Sequence, residues 1–302
     1  MTGSRVTEGD TVDRSTDPAD RPPGPIVVQG KRVLTTARSA AWALHGRRDA
    51  PQAGIRILFY HRIGSSGDQL GVRRDSFAAQ MEYLAGAGFQ AVGVAEAIGS
   101  LVGNGAGAVR RLIGLSFDDG YRTVVEHGHD VLRGHGFRAT VFVVANAVDG
   151  RLTLPWDADA GGAHPLLGWD EITVLDRRSP FSFEAHSMSH PVLPRLTTPA
   201  ARAQIRESKS VLEERLGRPV QIFAYPGGWY GKRERGLVAE AGYSAACSCE
   251  PGVNTEYTDR FELRRIAISS TDSLLDFKAK VHGGHDAPPP LRRAYRRIKL
   301  GQ

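Results

Sequence analysis

Short apolar runs alternate with amphipathic segments of helical spacing along the chain from residue 55 onward. The runs predict strands at residues 55–63, 89–94, 111–117, 139–146, 181–186, 221–226, 243–249 and 261–268. The segments between them predict helices at residues 75–89, 95–103, 123–136, 169–178, 199–217, 232–242 and 273–282. Strands that alternate with helices form parallel sheets with crossover helices. Seven or eight such units favour one α/β barrel over two separate domains.

The two flanks of this pattern differ from it in composition, and the difference predicts the domain organisation. The first thirty residues are polar, rich in Asp and Pro, and lack the apolar centre of a secretory signal. We expect a disordered leader and a basic flanking segment over 1–50, and a folded domain over 51–283. A Pro-rich linker and a basic amphipathic tail are expected over 284–302. The same leader predicts a cytoplasmic protein.

Positive charge is concentrated outside the predicted domain. The net charge is +6, to which residues 31–50 contribute +4, residues 291–302 contribute +5 and residues 1–30 contribute −2. Residues 51–290 are therefore left with −1. A hydrophobic fraction of 41% without any run of about 18 apolar residues is typical of a globular chain that lacks a membrane-spanning helix.

The basic tail has two interpretations. Leu291, Tyr295 and Ile298 recur at helical spacing between arginines, as in a surface helix that lies on anionic lipid at the inner membrane face. A solvated tail is the alternative. We expect no nucleic-acid partner, because the basic segment is short and stands in no known binding motif.

Polar side chains stand where several of the predicted strands end, and α/β barrels gather their chemistry at such ends. These residues are His61, Asp118, Asp119, His186 and His190. His186 and His190 are four residues apart, so one helical turn after the strand would bring both rings to one side. Two imidazoles and a carboxylate are a common ligand set for Zn²⁺, and Co²⁺ or Ni²⁺ suits the same ligands. A divalent ion would also keep the adjacent carboxylates of Asp118 and Asp119 ionised.

Three of these stretches together resemble a known family. SFDDG, HSMSH and FAYPGG are similar to the first three motifs of the polysaccharide deacetylases, the NodB-homology domain of carbohydrate esterase family 4. The resemblance covers roughly residues 54–282 and implies a distorted (β/α) barrel. It implies that Asp118 is the general base and that Asp119, His186 and His190 bind the metal. The implied reaction is hydrolysis of an N-acetyl group on an amino sugar of GlcNAc type, in a polysaccharide or glycoconjugate.

The chemistry of amide hydrolysis agrees with these implied roles. A metal ion polarises the amide carbonyl and supplies a bound water of lowered pKa as the nucleophile, while a carboxylate that is not a ligand takes its proton. The resemblance implies that the backbone N–H of Gly227, directly after Pro226, stabilises the oxyanion. Trp229 and Tyr230 follow, and they either form a wall of the substrate groove or pack in the core.

The third motif departs from the family at Ala224, where the family commonly has an Arg that steadies the base. Arg264 or Arg265, within the otherwise apolar run at 261–268, is expected to replace it. A charge inside such a strand costs several kcal/mol unless it is paired, and a pair with Asp118 would account for it. An exposed edge strand is the alternative.

The last motif of the family, an apolar strand that ends in L-x-H, has no clear match near the carboxyl terminus. The opening strand ILFYH has that shape, with His61 at its end. We therefore infer a circularly permuted domain similar to the deacetylases of biofilm poly-N-acetylglucosamine. His61 is then expected to be the general acid, and a structural His within the barrel is the alternative.

Three classes of function are compatible with these observations. The first is a metal-dependent N-deacetylase, and the second is a catalytically silent carbohydrate-binding protein on the same scaffold. Silent relatives usually lose the base or a ligand, whereas this chain retains all four residues, which favours catalysis. The third is an adaptor that binds a membrane or nucleic acid through its basic flanks.

Overall fold

The computed structural model describes residues 25–44, 54–64, 69–101, 111–158 and 164–286. The basic tail at 291–302 and the first 24 residues of the predicted leader lie outside the described residues. The predicted boundaries of the domain, at residues 51 and 283, stay a prediction.

The order of strands and helices follows the predicted alternation. The strands are β1 (Arg56–Tyr60), β2 (Arg62–Ile63), β3 (Gly71–Val72), β4 (Gln90–Val92), β5 (Leu112–Phe117), β6 (Ala139–Val143), β7 (Phe181–Ala185), β8 (Ile222–Ala224), β9 (Ala245–Cys247) and β10 (Ile266–Ala267). The helices are α1 (Pro25–Leu44), α2 (Arg74–Gly86), α3 (Val94–Gly99), α4 (Arg122–Gly134), α5 (Pro155–Ala158), α6 (Trp169–Arg178), α7 (Thr198–Leu216), α8 (Lys232–Glu240) and α9 (Leu274–Val281).

The main sheet is parallel and curls into a distorted barrel, which confirms the predicted fold class. Seven strands follow one another in the order β10–β1–β5–β6–β7–β8–β9, and β4 also pairs with β5. The segment around β10 contacts both edges of this series, because Leu263 forms a parallel bridge with Cys247 while Ile266 pairs with Leu58. The run at 261–268, predicted as one strand, therefore joins the two edges.

The strands are buried on both faces, as expected of a parallel sheet covered by helices. Every residue of β1 and of β6 is buried. Aromatic rings fill the space between strands and helices: Phe117 lies 5.4 Å from Tyr60, 6.0 Å from Phe77 and 6.2 Å from Phe181 between ring centroids. Burial of one such ring contributes about 2–3 kcal/mol. This core gives the strand ends a rigid base.

Helix α1 is a difference from the sequence prediction. Its residues 25–30 fall in the segment expected to be disordered, and the remainder in the basic flank. Ser39 Oγ lies 3.1 Å from His285 Nε2, the Arg38 guanidinium donates to the carbonyl of Gly284 at 3.2 Å, and Trp42 stacks on His282 at 5.8 Å. These contacts with the end of α9 are tertiary, so no local pattern indicated them. Among the described residues, no helix is long and apolar enough to cross a membrane.

Candidate active site

The predicted site residues meet at one edge of the barrel. Asp118 and Asp119 directly follow β5, His186 follows β7, and His61 separates β1 from β2. The Asp118 amide donates to the carbonyl of Tyr60, and the His186 amide donates to a carbonyl of β6, each at 2.9 Å. Since parallel strands end at the same edge of a sheet, these side chains share one end of the barrel.

The turn after β5 requires its glycine. Asp119 has φ +74° and Gly120 has φ +81°, both in the left-handed region. A Cβ atom at Gly120 would lie 2.9 Å from Cγ1 of Val143, so the turn has no room for a side chain. This tight turn places the carboxylates of two successive residues against different partners.

Asp119, His186 and His190 form a cluster with the donor set of a metal site. The Oδ1 atom of Asp119 lies 3.6 Å from Nε2 of His186 and 3.8 Å from Nε2 of His190, and the three ligand atoms lie within 4.8 Å of one another. Both carboxylate oxygens of Asp119 are buried and have no hydrogen-bond partner within the described ranges. Buried polar atoms rarely lack partners, and a divalent cation between these atoms would supply one. The residues therefore fit a metal ion.

Electrostatics supports this fit. Burial, followed by the negative charges of Asp118 and Asp157, raises the pKa of Asp119 well above its ordinary value. Burial also lowers the pKa of His186 and of His190, which keeps both rings neutral, as metal ligands must be. The cluster thus lacks a positive charge of its own.

The two histidines meet through a loop, and the predicted helical turn is wrong. Ser187 has φ +66° and His190 has φ +58°, and the Ser187 hydroxyl accepts a hydrogen bond from the His190 amide at 3.0 Å. The ring of His186 lies 2.8 Å from the carbonyl of Ala224 through Nδ1, which leaves Nε2 free to bind a metal. The side-chain and backbone hydrogen bonds, and not helical spacing, bring the rings together.

Asp118 is held by an arginine that directly precedes β10, two strands away from β5 in the sheet. Arg265 donates from its two terminal nitrogens to the two carboxylate oxygens, at 2.6 and 2.8 Å, and its side chain is fully buried. Its Nε donates to the carbonyl of Ser248 at 3.0 Å, and Phe59 lies under the guanidinium at 4.5 Å. Burial alone would raise the pKa of Asp118, but the charge of Arg265 lowers it below its ordinary value. The predicted pair is present.

Burial distinguishes the two neighbouring arginines that directly precede β10. Leu263 and Arg265 are buried, whereas Arg264 between them is exposed. Arg264 packs instead against the loop at Gly252, where a Cβ atom would lie 2.6 Å from its Cδ. Arg264 is thus excluded as a support for Asp118.

His61 lies close enough to Asp118 for the charge of that carboxylate to affect the pKa of the imidazole. Burial lowers its pKa to about 4, although the charge of Asp118 acts in the opposite direction. Its ring packs edge-on against Phe59 at 5.8 Å. His61 is therefore neutral near pH 7 in the chain alone.

Comparison with known proteins agrees with this geometry. A family model described as polysaccharide deacetylase matches residues 106–246, a segment that contains both aspartates and both histidines of the site. YxkH of Bacillus subtilis (strain 168), which carries the name of this family, is 26% identical over 229 residues, 76% of each chain. The chain carries a polysaccharide deacetylase domain.

Solved structures with the same fold include PplD of Streptococcus pyogenes, a deacetylase in complex with acetate, and IcaB from Ammonifex degensii. PplD is 21% identical with a TM-score of 0.65, over 76% of this chain and 98% of its own. IcaB is 24% identical with a TM-score of 0.66, over 77% and 98%. His61 and Arg265 lie outside the segment that the family model matches.

The deacetylase domain has a glycine turn after β8, the strand whose Ala224 carbonyl contacts His186. Pro226, Gly227 and Gly228 form a single turn after β8, with Gly227 at φ +58° and exposed. The ring of Trp229 lies over Gly227, so that a Cβ atom there would be 2.8 Å from its Cδ1. Gly227 and the half-buried Trp229 thus remain accessible to a substrate.

Tyr230 packs in the core, which is one of the two alternatives that the sequence left open. It is buried and stacks on Tyr225 with ring centroids 4.5 Å apart. The Tyr230 ring is therefore part of the core and does not form a wall of the substrate groove.

Sequence reasoning missed a polar network in the deacetylase domain on the side of His190. The indole of Trp156 lies 4.7 Å from the His190 ring and donates from Nε1 to the Tyr121 hydroxyl at 2.8 Å. Tyr121 donates in turn to Asp157 at 2.8 Å, and Asp157 forms an ion pair with Arg62 at 3.4 Å. The only local signal is that Tyr121 follows the Asp-Asp-Gly turn, and nothing in the sequence joins it to Asp157.

Proposed function

We propose that this chain is a metal-dependent hydrolase that removes N-acetyl groups from an amino sugar of GlcNAc type in a polysaccharide or glycoconjugate. The observation that carries the proposal is the Asp119–His186–His190 cluster beside an ion-paired carboxylate, Asp118. Zn²⁺ is the expected ion, and Co²⁺ or Ni²⁺ suits the same donors.

Asp119, His186 and His190 would hold the ion through a carboxylate oxygen and two imidazole nitrogens. When bound, such an ion polarises the acetyl carbonyl and lowers the pKa of a water molecule. The chain keeps Asp119 and His186 buried and His190 half-buried, and it fixes the His186 ring through the Ala224 carbonyl. Fixed donors do not have to reorganise when the ligand set forms.

Asp118 is suited to accept the proton of the attacking water. Its lowered pKa keeps it ionised at neutral pH. Arg265 uses one lone pair on each carboxylate oxygen, and the remaining lone pairs can take a proton. The two hydrogen bonds also fix the plane of the carboxylate, which general-base catalysis requires.

His61 is the candidate for delivering a proton to the departing amine nitrogen. Because its pKa is about 4, it does not carry this proton beforehand and has to acquire it during the reaction. The nearby Asp118, once protonated, is a source for it. The net result of the step is that a proton of water ends on the amine.

The reaction also needs a donor for the oxyanion and a surface for the sugar ring, and the exposed turn at Gly227 is suited to supply both. Its backbone N–H is the proposed donor to the oxyanion of the tetrahedral intermediate, since a backbone donor in a fixed turn needs no reorganisation. The Trp229 ring beside it offers an aromatic face for the apolar side of a sugar.

Acetate release from a panel of N-acetylated sugars tests the proposal, with wild type and Asp118→Asn and with and without a chelator. We expect release that needs the metal and falls by about 10²–10⁴-fold in Asp118→Asn. Unchanged release in that variant would exclude Asp118 as the base. No release on any substrate, with metal bound at one equivalent, would favour the silent carbohydrate-binding protein instead.

A further inference from the structure

Helix α1 presents an apolar face to solvent. Val33, Ala37, Ala40 and Leu44 recur at helical spacing and are all exposed, with Val33 at 66% and Leu44 at 83%. Leu34, at the margin of this stripe, is 44% exposed. Within the described ranges seven large apolar side chains are exposed, and five of them lie on α1 or on α9, against which it packs. We call the stripe of Val33, Ala37, Ala40 and Leu44 the outer face of α1.

This arrangement is the reverse of an ordinary surface helix. Such a helix buries its apolar stripe and exposes its polar residues. In α1 the side that meets α9 carries polar residues, since Ser39 is fully buried and Arg38 binds the Gly284 carbonyl. Trp42 also packs on this side, against His282. The packing of α1 therefore does not use the apolar residues of the outer face, which remain available to a different surface.

The positive charge around α1 indicates which kind of surface its outer face would bind. Residues 25–44 contain Lys31, Arg32 and Arg38 and no acidic residue. The sequence adds Arg47 and Arg48 directly after the helix. An apolar stripe with basic flanks is typical of a helix that lies in the interface of an anionic bilayer.

The last described residues of the chain lie against α1. Gly284 and His285, which contact α1, are followed by the tail whose residues 291–302 carry five basic residues. The two basic stretches of the sequence, 31–50 and 291–302, contribute +4 and +5 to the net charge. Against a second copy of this chain, α1 would meet its own positive charge, so like-charge repulsion disfavours that occupant.

We propose that the outer face of α1 binds the surface of a bilayer that contains anionic lipid. The proposal does not rest on the proposed deacetylase activity. The apolar side chains enter the boundary of the acyl chains, and the exposed Arg32 contacts lipid phosphates.

Co-sedimentation of the full chain with vesicles tests this surface. The vesicles contain either phosphatidylcholine alone or equal parts of phosphatidylcholine and phosphatidylglycerol. Val33→Asp places a carboxylate in the outer face, and Val174→Asp is the matched control, because Val174 is 57% exposed on α6. We expect binding to the anionic vesicles only, a loss of about tenfold or more in Val33→Asp, and no change in Val174→Asp.

Three outcomes would overturn the proposal. The first is equal binding of Val33→Asp and wild type to the vesicles, and the second is no binding of wild type. The third is a wild-type dimer in sedimentation equilibrium that binds no lipid and that Val33→Asp dissociates. A chain that lacks residues 287–302 tests α1 without the basic tail. It should still bind the anionic vesicles, and Val33→Asp should still weaken that binding. Thermal midpoints of both variants equal to that of wild type would show that neither acts by unfolding the domain.

Discussion

Asp118 and Asp119 are neighbours in the chain with opposite electrostatic surroundings. The carboxylate of Asp118 has two hydrogen bonds from Arg265, and its pKa is lowered. The carboxylate of Asp119 has no hydrogen-bond partner among the described residues, and its pKa is raised. The left-handed conformation at Asp119 separates them. One carboxylate is thereby suited to take a proton, and the other to bind a cation.

At the residue scale, Arg265→Gln should move the acidic limb of the pH–rate profile to higher pH. Arg265 lowers the pKa of Asp118, so its removal raises that pKa, and the ionised base is then lost at a higher pH as the solution is acidified. The measurement is acetate release as a function of pH. Breaking a buried pair of this kind also costs about 3–5 kcal/mol of stability.

Arg264→Gln is the matched control, because the neighbouring arginine is exposed and does not contact Asp118. It should leave the profile unchanged. Arg265→Lys keeps a positive charge and should shift the limb in the same direction by a smaller amount. An acidic limb that is identical in wild type and Arg265→Gln would show that Asp118 is not the group that titrates.

At the scale of elements, each site residue is placed by the strand or helix next to it. The His186 ring depends on β8 through the Ala224 carbonyl. The His190 ring depends on the short helix α5, which carries Trp156 and Asp157. Tyr121 joins that helix to the turn after β5 through its hydroxyl, which accepts from Trp156 and donates to Asp157.

Tyr121→Phe should therefore weaken metal binding while the ligands stay intact. It removes the acceptor of the Trp156 indole and a donor to Asp157, which leaves buried polar groups unpaired at a cost of about 1–3 kcal/mol. Loss of such supporting contacts typically weakens a metal site by about 10–100-fold. Calorimetric titration of the chain with Zn²⁺ measures the change.

Tyr83→Phe provides the control for this prediction. It removes a hydroxyl that bonds to His282, on the α1–α9 side of the molecule. Metal affinity should not change in that variant. If both variants bind the metal as tightly as wild type does, Tyr121 has no part in holding the site.

At the scale of the whole molecule, the site joins strands from different parts of the barrel. The cluster contains one residue after β5 and two after β7, and it lies beside an arginine next to β10. A ligand that binds only the folded state stabilises all of these elements together. The stability of the domain and the loading of the site should therefore be coupled.

A chelator should lower the thermal midpoint of the full chain, and the difference should widen as pH rises from about 4 to 7. The raised pKa of Asp119 means that its buried, ionised form destabilises the metal-free fold once the pH exceeds the unfolded value. The same ionised form is the one that binds metal. At a metal concentration near 100 times Kd, binding adds about 2.7 kcal/mol.

Thermal melts of wild type and Asp119→Asn, with metal and with chelator, check this linkage. In Asp119→Asn the difference between loaded and chelated protein should be much smaller at every pH, because the variant lacks the anionic ligand. A wild-type midpoint that does not respond to chelator at neutral pH would contradict a metal in this cluster.

The sequence by itself determined the order of strands and helices and the polar residues at the strand ends. Apolar runs and helical spacing are local properties, so every strand except the short β3 lies within or close to a predicted run, and β3 was not predicted. The strand-end positions of Asp118, Asp119 and His186 follow from the same runs.

Contacts between distant segments were decided only by the tertiary structure. The direction of the Arg265 side chain depends on how the segment from Leu263 to Ile266 pairs with both edges of the sheet, which the sequence does not specify. The left-handed backbone at Ser187 and His190 depends on a hydrogen-bonded loop, where spacing alone suggested a helical turn. Helix α1 is held by α9, some 240 residues away along the chain, as in the contact of Ser39 with His285. Local patterns carry no information about partners at such separations, since only folding brings them together.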